Sequence, residues 1–190
     1  FNDGVDYTLL ASIDSNDRDS DEDGYIDSED ACDFVPGTSA YDRKGCLDSD
    51  SDGYSDPEVG WGPNNGADAF PFQASQWLDS DNDGYGDNLD GYQGDSCPYN
   101  SGASSSDRFG CLDSDGDGFS DADPGGLFGV SEWYAHPVGL ADAFPLDNTQ
   151  WTDTDADGYG DNWDDPAWNE THIAWGIGQW LELATAPDAC

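Results

Sequence analysis

The chain has 190 residues, 43 of them Asp or Glu and 4 of them Lys or Arg, for a formal charge of -39. That repulsive field excludes a nucleic-acid partner, and no apolar run approaches the roughly 20 residues that insert across a bilayer. Val, Leu, Ile and Phe make up only about 15% of the residues, too few for an ordinary core, so cations must neutralise the acids if the chain is to fold.

Residues 1–18 read as an N-terminal extension in which Val5 to Ile13 could form a strand. From there the pattern D-x-D-x-D-G-[YF]-x-D occurs five times, starting at Asp19, Asp48, Asp79, Asp113 and Asp153. The loops alternate in kind. The second and fourth follow Gly45-Cys46-Leu47 and Gly110-Cys111-Leu112, whereas the third and fifth follow Gln76-Trp77-Leu78 and Gln150-Trp151-Thr152. Larger blocks recur with them: Asp42-Arg43-Lys44-Gly45-Cys46 with Asp107-Arg108-Phe109-Gly110-Cys111, and Ala67-Asp68-Ala69-Phe70-Pro71 with Ala141-Asp142-Ala143-Phe144-Pro145. Such self-similarity divides the chain into a first repeat unit at 19–78, a second at 79–152, a fifth loop at 153–165 and a Trp-rich segment at 166–190. Gly, Pro, Asn, Asp and Ser punctuate nearly every stretch, so the expected fold is mostly irregular: a calcium-organised tandem loop repeat with few short helices or strands, stapled by disulfides. Gly102 to Ser106 is a short Gly/Ser-rich loop, and Thr171 to Ala186 could form a short helix or strand.

In a calcium loop, oxygens at positions 1, 3 and 5 converge on the ion, Gly at position 6 permits the sharp turn, and position 7 gives its backbone carbonyl. The expected ligands are therefore Asp19, Asp21, Asp23 and the Tyr25 carbonyl; Asp48, Asp50, Asp52 and Tyr54; Asp79, Asp81, Asp83 and Tyr85; Asp113, Asp115, Asp117 and Phe119; and Asp153, Asp155, Asp157 and Tyr159. At position 9, Asp27, Asp56, Asp87, Asp121 and Asp161 would act directly or through water. Position 12 supplies Asp30, Asp90 and Asp164 in the odd loops. In the even loops that position is Val59 or Pro124, so Asp68 and Asp142 are expected to serve as borrowed ligands. At least five calcium ions follow. Magnesium demands a tighter, wetter octahedron, and zinc lacks its usual ligands because the chain has only 2 His, His136 and His172, which read as packing or surface residues. Catalysis needs two differentiated groups in a pocket rather than many equivalent carboxylates, so the chain is not expected to be an enzyme.

An EF-hand would place amphipathic helices beside each loop, but Asn88-Leu89-Asp90-Gly91-Tyr92-Gln93-Gly94 follows the third. Asp79 through Asp90, continuing to Asp95-Ser96-Cys97-Pro98, resembles the thrombospondin type 3 repeat, whose D-x-D-x-D-G-x-x-D-x-x-D-x-C segments wrap a row of calcium ions. The Ala-Asp-Ala-Phe-Pro and Gln-Trp blocks look like the variant found in large secreted microbial proteins. The resemblance covers about Asp19 to Asp165 and implies calcium binding in an extended, ion-cored structure.

Cys32 and Cys46 are spaced as Cys97 and Cys111 are, so local pairing within each unit is expected. Cys190 is left over; Asp188-Ala189-Cys190 repeats Asp30-Ala31-Cys32, so it either opens a further unit or joins another chain. Millimolar calcium and disulfides both belong outside the cytoplasm, which makes a secreted or cell-surface protein the expected setting. Trp77 and Trp151 are expected to cover adjacent loops, as are Phe70 and Phe144, while Arg43 and Arg108 bridge carboxylates. Trp133, Tyr134, Trp168, Trp175 and Trp180 are unrepeated and could instead stack on carbohydrate; Asn169-Glu170-Thr171 is a glycosylation sequon. The resulting expectation is a structural protein of a matrix, appendage or filament, with copies joined head to tail because its two ends read as complementary halves of the repeat. An adhesion or glycan-binding module is the alternative.

Overall fold

The structure is a computed structural model and describes residues 18–129 and 131–162. The strand expected at Val5 to Ile13, the element expected at Thr171 to Ala186, and Cys190 lie outside the described residues. The chain divides into two compact units, Phe1–Leu78 and Asp79–Cys190. Among the described residues the fold is irregular throughout. Its one helical element is a 3-10 turn at Pro63–Asn65, and strand pairing is limited to isolated bridges such as Glu58 with Trp61 and Asp123 with Trp133.

The acids themselves explain the lack of regular structure. Backbone N–H groups that a helix would pair with carbonyls are taken by Asp side chains, which offer a competing local acceptor. Asp19 Oδ1 accepts the Glu22 N–H at 2.7 Å and its Oδ2 accepts the Gly24 N–H at 3.0 Å. Asp48, Asp79 and Asp113 hold Ser51 and Gly53, Asn82 and Gly84, and Gly116 and Gly118 in the same way. Gly at position 6 has φ between 89 and 104 in the five loops, where a Cβ is strongly disfavoured. Position 4 is left-handed as well: Glu22, Ser51, Asn82 and Ala156 have φ of 61 to 68, a conformation that non-Gly residues adopt only under constraint. Only the fourth loop places a glycine there, Gly116.

No hydrophobic core forms among the described residues. The buried apolar side chains are small, Cys46, Ala67, Cys97, Cys111 and Ala141, and the large buried ones are polar: Gln76, Gln150, Asn162, Asp68, Asp95, Asp142 and Asp161. In unit 1 the Cys32–Cys46 disulfide closes a hairpin around Ser39, whose hydroxyl donates to the Arg43 carbonyl and accepts the Cys46 N–H at 2.9 Å. In unit 2 the Cys97–Cys111 disulfide surrounds Ser104 likewise, bonded to the Arg108 carbonyl at 2.7 Å and to the Cys111 N–H at 2.9 Å. Closing loops of this size constrains the unfolded chain by about 3 kcal/mol each, a large share of stability where apolar burial is scarce. Both pairings are those expected from spacing.

Aromatic rings cover the even loops. Trp77 stacks on Tyr54 at 5.4 Å and 4°, and Trp151 on Phe119 at 5.0 Å and 9°. Each stack joins the position 7 ring of an even loop to the Trp two residues ahead of the next D-x-D-x-D run in the sequence.

Candidate metal centres

Each loop brings its first three alternate aspartates together. Within Asp19, Asp21 and Asp23, within Asp48, Asp50 and Asp52, within Asp79, Asp81 and Asp83, within Asp113, Asp115 and Asp117, and within Asp153, Asp155 and Asp157, a carboxylate oxygen from every member lies within 4.8 Å of the others. These groups could hold metal ions. The position 7 backbone is locked beside them: the N–H groups of Tyr25, Tyr54, Tyr85, Phe119 and Tyr159 donate to the position 5 carboxylates at 2.8 to 2.9 Å.

Position 9, expected to act on an ion directly or through water, also has a local role, and Asp27 Oδ1 remains buried without a hydrogen-bond partner. Each position 9 carboxylate holds the Ser or Thr at position 2: Ser20 donates its hydroxyl to Asp27, Ser49 to Asp56, Ser80 to Asp87, Ser114 to Asp121 and Thr154 to Asp161. Four of these also receive the position 2 N–H, as Asp56 does at 2.9 Å. Asp27, Asp56, Asp121 and Asp161 further donate their own N–H to the carbonyl preceding the loop, so position 9 clamps the turn shut.

A further aspartate closes four of the loops. Asp68 and Asp142, placed far along the sequence, return to the even loops, where their N–H groups donate to the position 8 carbonyls of Ser55 and Ser120 at 2.9 Å. In the odd loops Asp30 donates to the Ile26 carbonyl at 2.9 Å and Asp95 to the Gly86 carbonyl at 2.8 Å, again position 8. All four side chains then accept, at 2.7 Å, the N–H two residues on: Cys32, Phe70, Cys97 and Phe144. Asp95 therefore stands where position 12 was expected to place Asp90. Asp90 is exposed, and the five residues Asn88 to Tyr92 are extra length between Gly86 and Asp95 relative to Ile26 and Asp30. Asp164, expected at position 12 of the fifth loop, lies outside the described residues.

The second oxygens of these carboxylates carry the argument for a cation. Asp68 and Asp142 are 1% exposed and Asp95 is 0% exposed, yet Oδ2 of each has no hydrogen-bond partner. Buried oxygens of Asp21, Asp50, Asp52, Asp81, Asp115 and Asp117 are likewise unpaired. Leaving a buried carboxylate oxygen without a donor is costly, and so many in one chain call for a shared positive partner. Burial, with the charges of Asp52, Asp50 and Asp56, pushes the Asp68 carboxyl up to about 7. Burial and Asp83, Asp81 and Asp87 raise Asp95 to about 7; burial and Asp117, Asp115 and Asp121 raise Asp142 to about 7. These neighbours also show which loop each closing aspartate faces. The donor set is all oxygen and all acidic, which suits a hard divalent cation rather than zinc or copper.

The two kinds of loop differ at position 5. In the first and third loops, Oδ2 of Asp23 and Asp83 accepts the N–H of Gly37 and Gly102 at 3.0 Å. In the second and fourth, Oδ2 of Asp52 and Asp117 is among the unpaired oxygens. An outer carboxylate supports those even loops: Ser55 donates its N–H and hydroxyl to Asp42, and Ser120 donates both to Asp107. Arg43 pairs with Glu58 and lies 5.4 Å over the Trp61 ring; Arg108 donates to Ser120 at 2.9 Å and lies 5.0 Å over Trp133. Trp133 Nε1 points to Asp107 at 3.3 Å. One face of Trp133 is thus committed to packing on Arg108.

Sequence reasoning missed Asp95, the position 2 hydroxyls, Asp42 and Asp107. The chain matches no protein-family model, and no curated protein matches it significantly.

Proposed function

We propose that this chain is an extracellular calcium-binding structural protein of the thrombospondin type 3 repeat kind, built as a tandem array of ion-organised loops. The unpaired, buried oxygens of Asp68, Asp95 and Asp142 support this reading most directly, because each lies beside a loop that already gathers three carboxylates. Calcium accepts six to eight oxygens in flexible geometry, matching three loop aspartates, a position 7 carbonyl and a closing aspartate, with water completing the shell. Ion binding then supplies the folding free energy that a polar interior cannot. Two disulfides and the absence, among the described residues, of a helix long and apolar enough to cross a membrane fit an oxidising, extracellular setting.

The proposed role is structural, in a matrix, appendage or filament whose copies join head to tail. Exposed apolar side chains such as Phe34, Val35, Val59 and Phe72 support contact with other chains. Native mass spectrometry of the calcium-saturated chain tests the ion-binding reading. At least five calcium ions per chain are expected, and fewer would overturn it.

A further inference from the structure

Beside the Cys32–Cys46 disulfide, unit 1 has an open cavity of about 510 Å³ whose lining includes Ala31, Cys32, Phe34, Val35, Arg43 and Glu58. Phe34 is 77% exposed and Val35 55%. Unit 2 repeats the scaffold around this place: a disulfide of the same span, Arg108 over Trp133 as Arg43 lies over Trp61, and a bridge of Asp123 with Trp133 as of Glu58 with Trp61. What differs is the connection across the bridge. In unit 1 it is Val59-Gly60; in unit 2 it runs from Pro124 to Glu132.

The longer connection folds back over the counterpart of the cavity. The N–H groups of Leu127, Phe128 and Gly129 donate to the Asp123 carboxylate at 3.0, 2.9 and 3.2 Å. Gly129 abuts the disulfide so closely that a Cβ on it would lie 2.9 Å from Arg108 Nη1, 3.1 Å from the Ser96 carbonyl and 3.4 Å from Cys97 Sγ. Ser96, Cys97 and Arg108 are the counterparts of Ala31, Cys32 and Arg43, which line the cavity of unit 1. Unit 2 thus fills with its own Phe128-Gly129 the place that unit 1 leaves open. The close backbone approach favours glycine at that point, where a side chain would crowd the Ser96 carbonyl and Arg108, and the exposed Phe34 and Val35 of the unit 1 cavity favour an apolar neighbour to it.

We propose that the unit 1 cavity receives the Trp175-Gly176-Ile177-Gly178 stretch of a second copy, in the place that Phe128-Gly129 takes in unit 2. Two features select this occupant. Outside the described residues, an apolar residue followed by glycine occurs only at Trp175-Gly176 and Ile177-Gly178. Thr171 to Leu181 also contains no Asp or Glu, so it escapes the repulsion that Asp33, Asp56 and Glu58 at the cavity would exert on most of this chain. A contact between unlike surfaces of this kind propagates as an open chain unless it closes into a ring. The inference rests on the head-to-tail reading for its donor, and not on the identity of the ion.

A fluorescent peptide spanning His172 to Leu181, titrated into the calcium-saturated full chain, tests it by anisotropy. Saturable one-to-one binding is expected, weakened at least about tenfold by Gly176→Val with Gly178→Val in the peptide. The same loss is expected in two chain variants. One replaces Val59-Gly60 by the Pro124 to Glu132 sequence together with Glu58→Asp, filling the cavity from within; the other carries the surface changes Phe34→Ser and Val35→Ser. By sedimentation in calcium the unaltered chain is expected to associate and both variants to run as monomers. Absence of peptide binding, equal binding by the variants, or an unaltered chain that remains monomeric up to high concentration would each overturn the proposal. Ion counts on the same samples keep the two readings apart: fewer than five ions with peptide binding intact would overturn the calcium reading alone.

Discussion

Replacing Asp68 by Asn should move the ion-free and the loaded protein in opposite directions. The amide keeps the size of the side chain and the 2.7 Å acceptor contact to the Phe70 N–H, and it removes one negative charge at a position that is 1% exposed. Without an ion, that charge is a burden. A carboxyl raised from 3.8 to about 7 corresponds to roughly 4 kcal/mol of destabilisation at pH 8, the work of keeping it ionised while buried and, secondarily, beside Asp52, Asp50 and Asp56. In Asp68→Asn the amide can donate to those carboxylates, so the ion-free chain gains stability up to about that amount. With calcium the sign reverses, because the second loop loses a charged ligand, and affinity at that loop should fall by roughly 100-fold, within the span over which ligand charge tunes such loops. Urea melts at pH 8, in calcium and in EDTA with an osmolyte to keep the ion-free chain folded, measure both changes on one variant. The gap between the two melts should narrow. A variant less stable than the parent in EDTA, or with unchanged calcium affinity, would refute the account of Asp68.

The ion-free protein should show an inverted pH profile: with Asp68, Asp95 and Asp142 raised to about 7, its stability is complete below about pH 4 and declines as pH rises to about 7, whereas in calcium the melting temperature rises over that range. Thermal melts across pH with and without EDTA check both slopes. Asp95→Asn should remove one calcium ion from the count and Asp90→Asn none, which native mass spectrometry reads directly. Gly84→Ala should cost about 1–2 kcal/mol through backbone conformation alone, since Gly84 has φ 96 and no neighbour within 4 Å of a Cβ; a chemical melt in calcium measures it.

The loops themselves were open to reading in the sequence because gathering three carboxylates in one tight turn fixes their spacing: alternate aspartates and a Gly at position 6 leave little freedom. The return of Asp68 and Asp142 to the even loops followed from a missing acid at Val59 and Pro124. Asp95 escaped for a physical reason. Counting to position 12 presumes a fixed path, and the five residues from Asn88 to Tyr92 lengthen that path without moving its end point. The better signal is local: Asp30-Ala31-Cys32, Asp68-Ala69-Phe70, Asp95-Ser96-Cys97 and Asp142-Ala143-Phe144 share an aspartate, a small residue and a Cys or Phe whose N–H it holds. The Ser or Thr at position 2 was equally visible in all five loops, but a hydroxyl beside an acid reads as a spacer until position 9 is seen to fold back on it. Left-handed backbone at Glu22, Ser51, Asn82 and Ala156 had no signal, since four different side chains occupy it.

If cations hold this fold together, the near-UV circular dichroism melt of the intact, disulfide-bonded chain must differ between calcium and excess EDTA. Trp77 and Trp151, stacked on Tyr54 and Phe119 of the even loops, report on their packing. A cooperative transition in calcium, with the aromatic signal lost at ambient temperature in EDTA and regained when calcium is restored, is the predicted result. The same melting curve in both solutions would contradict it.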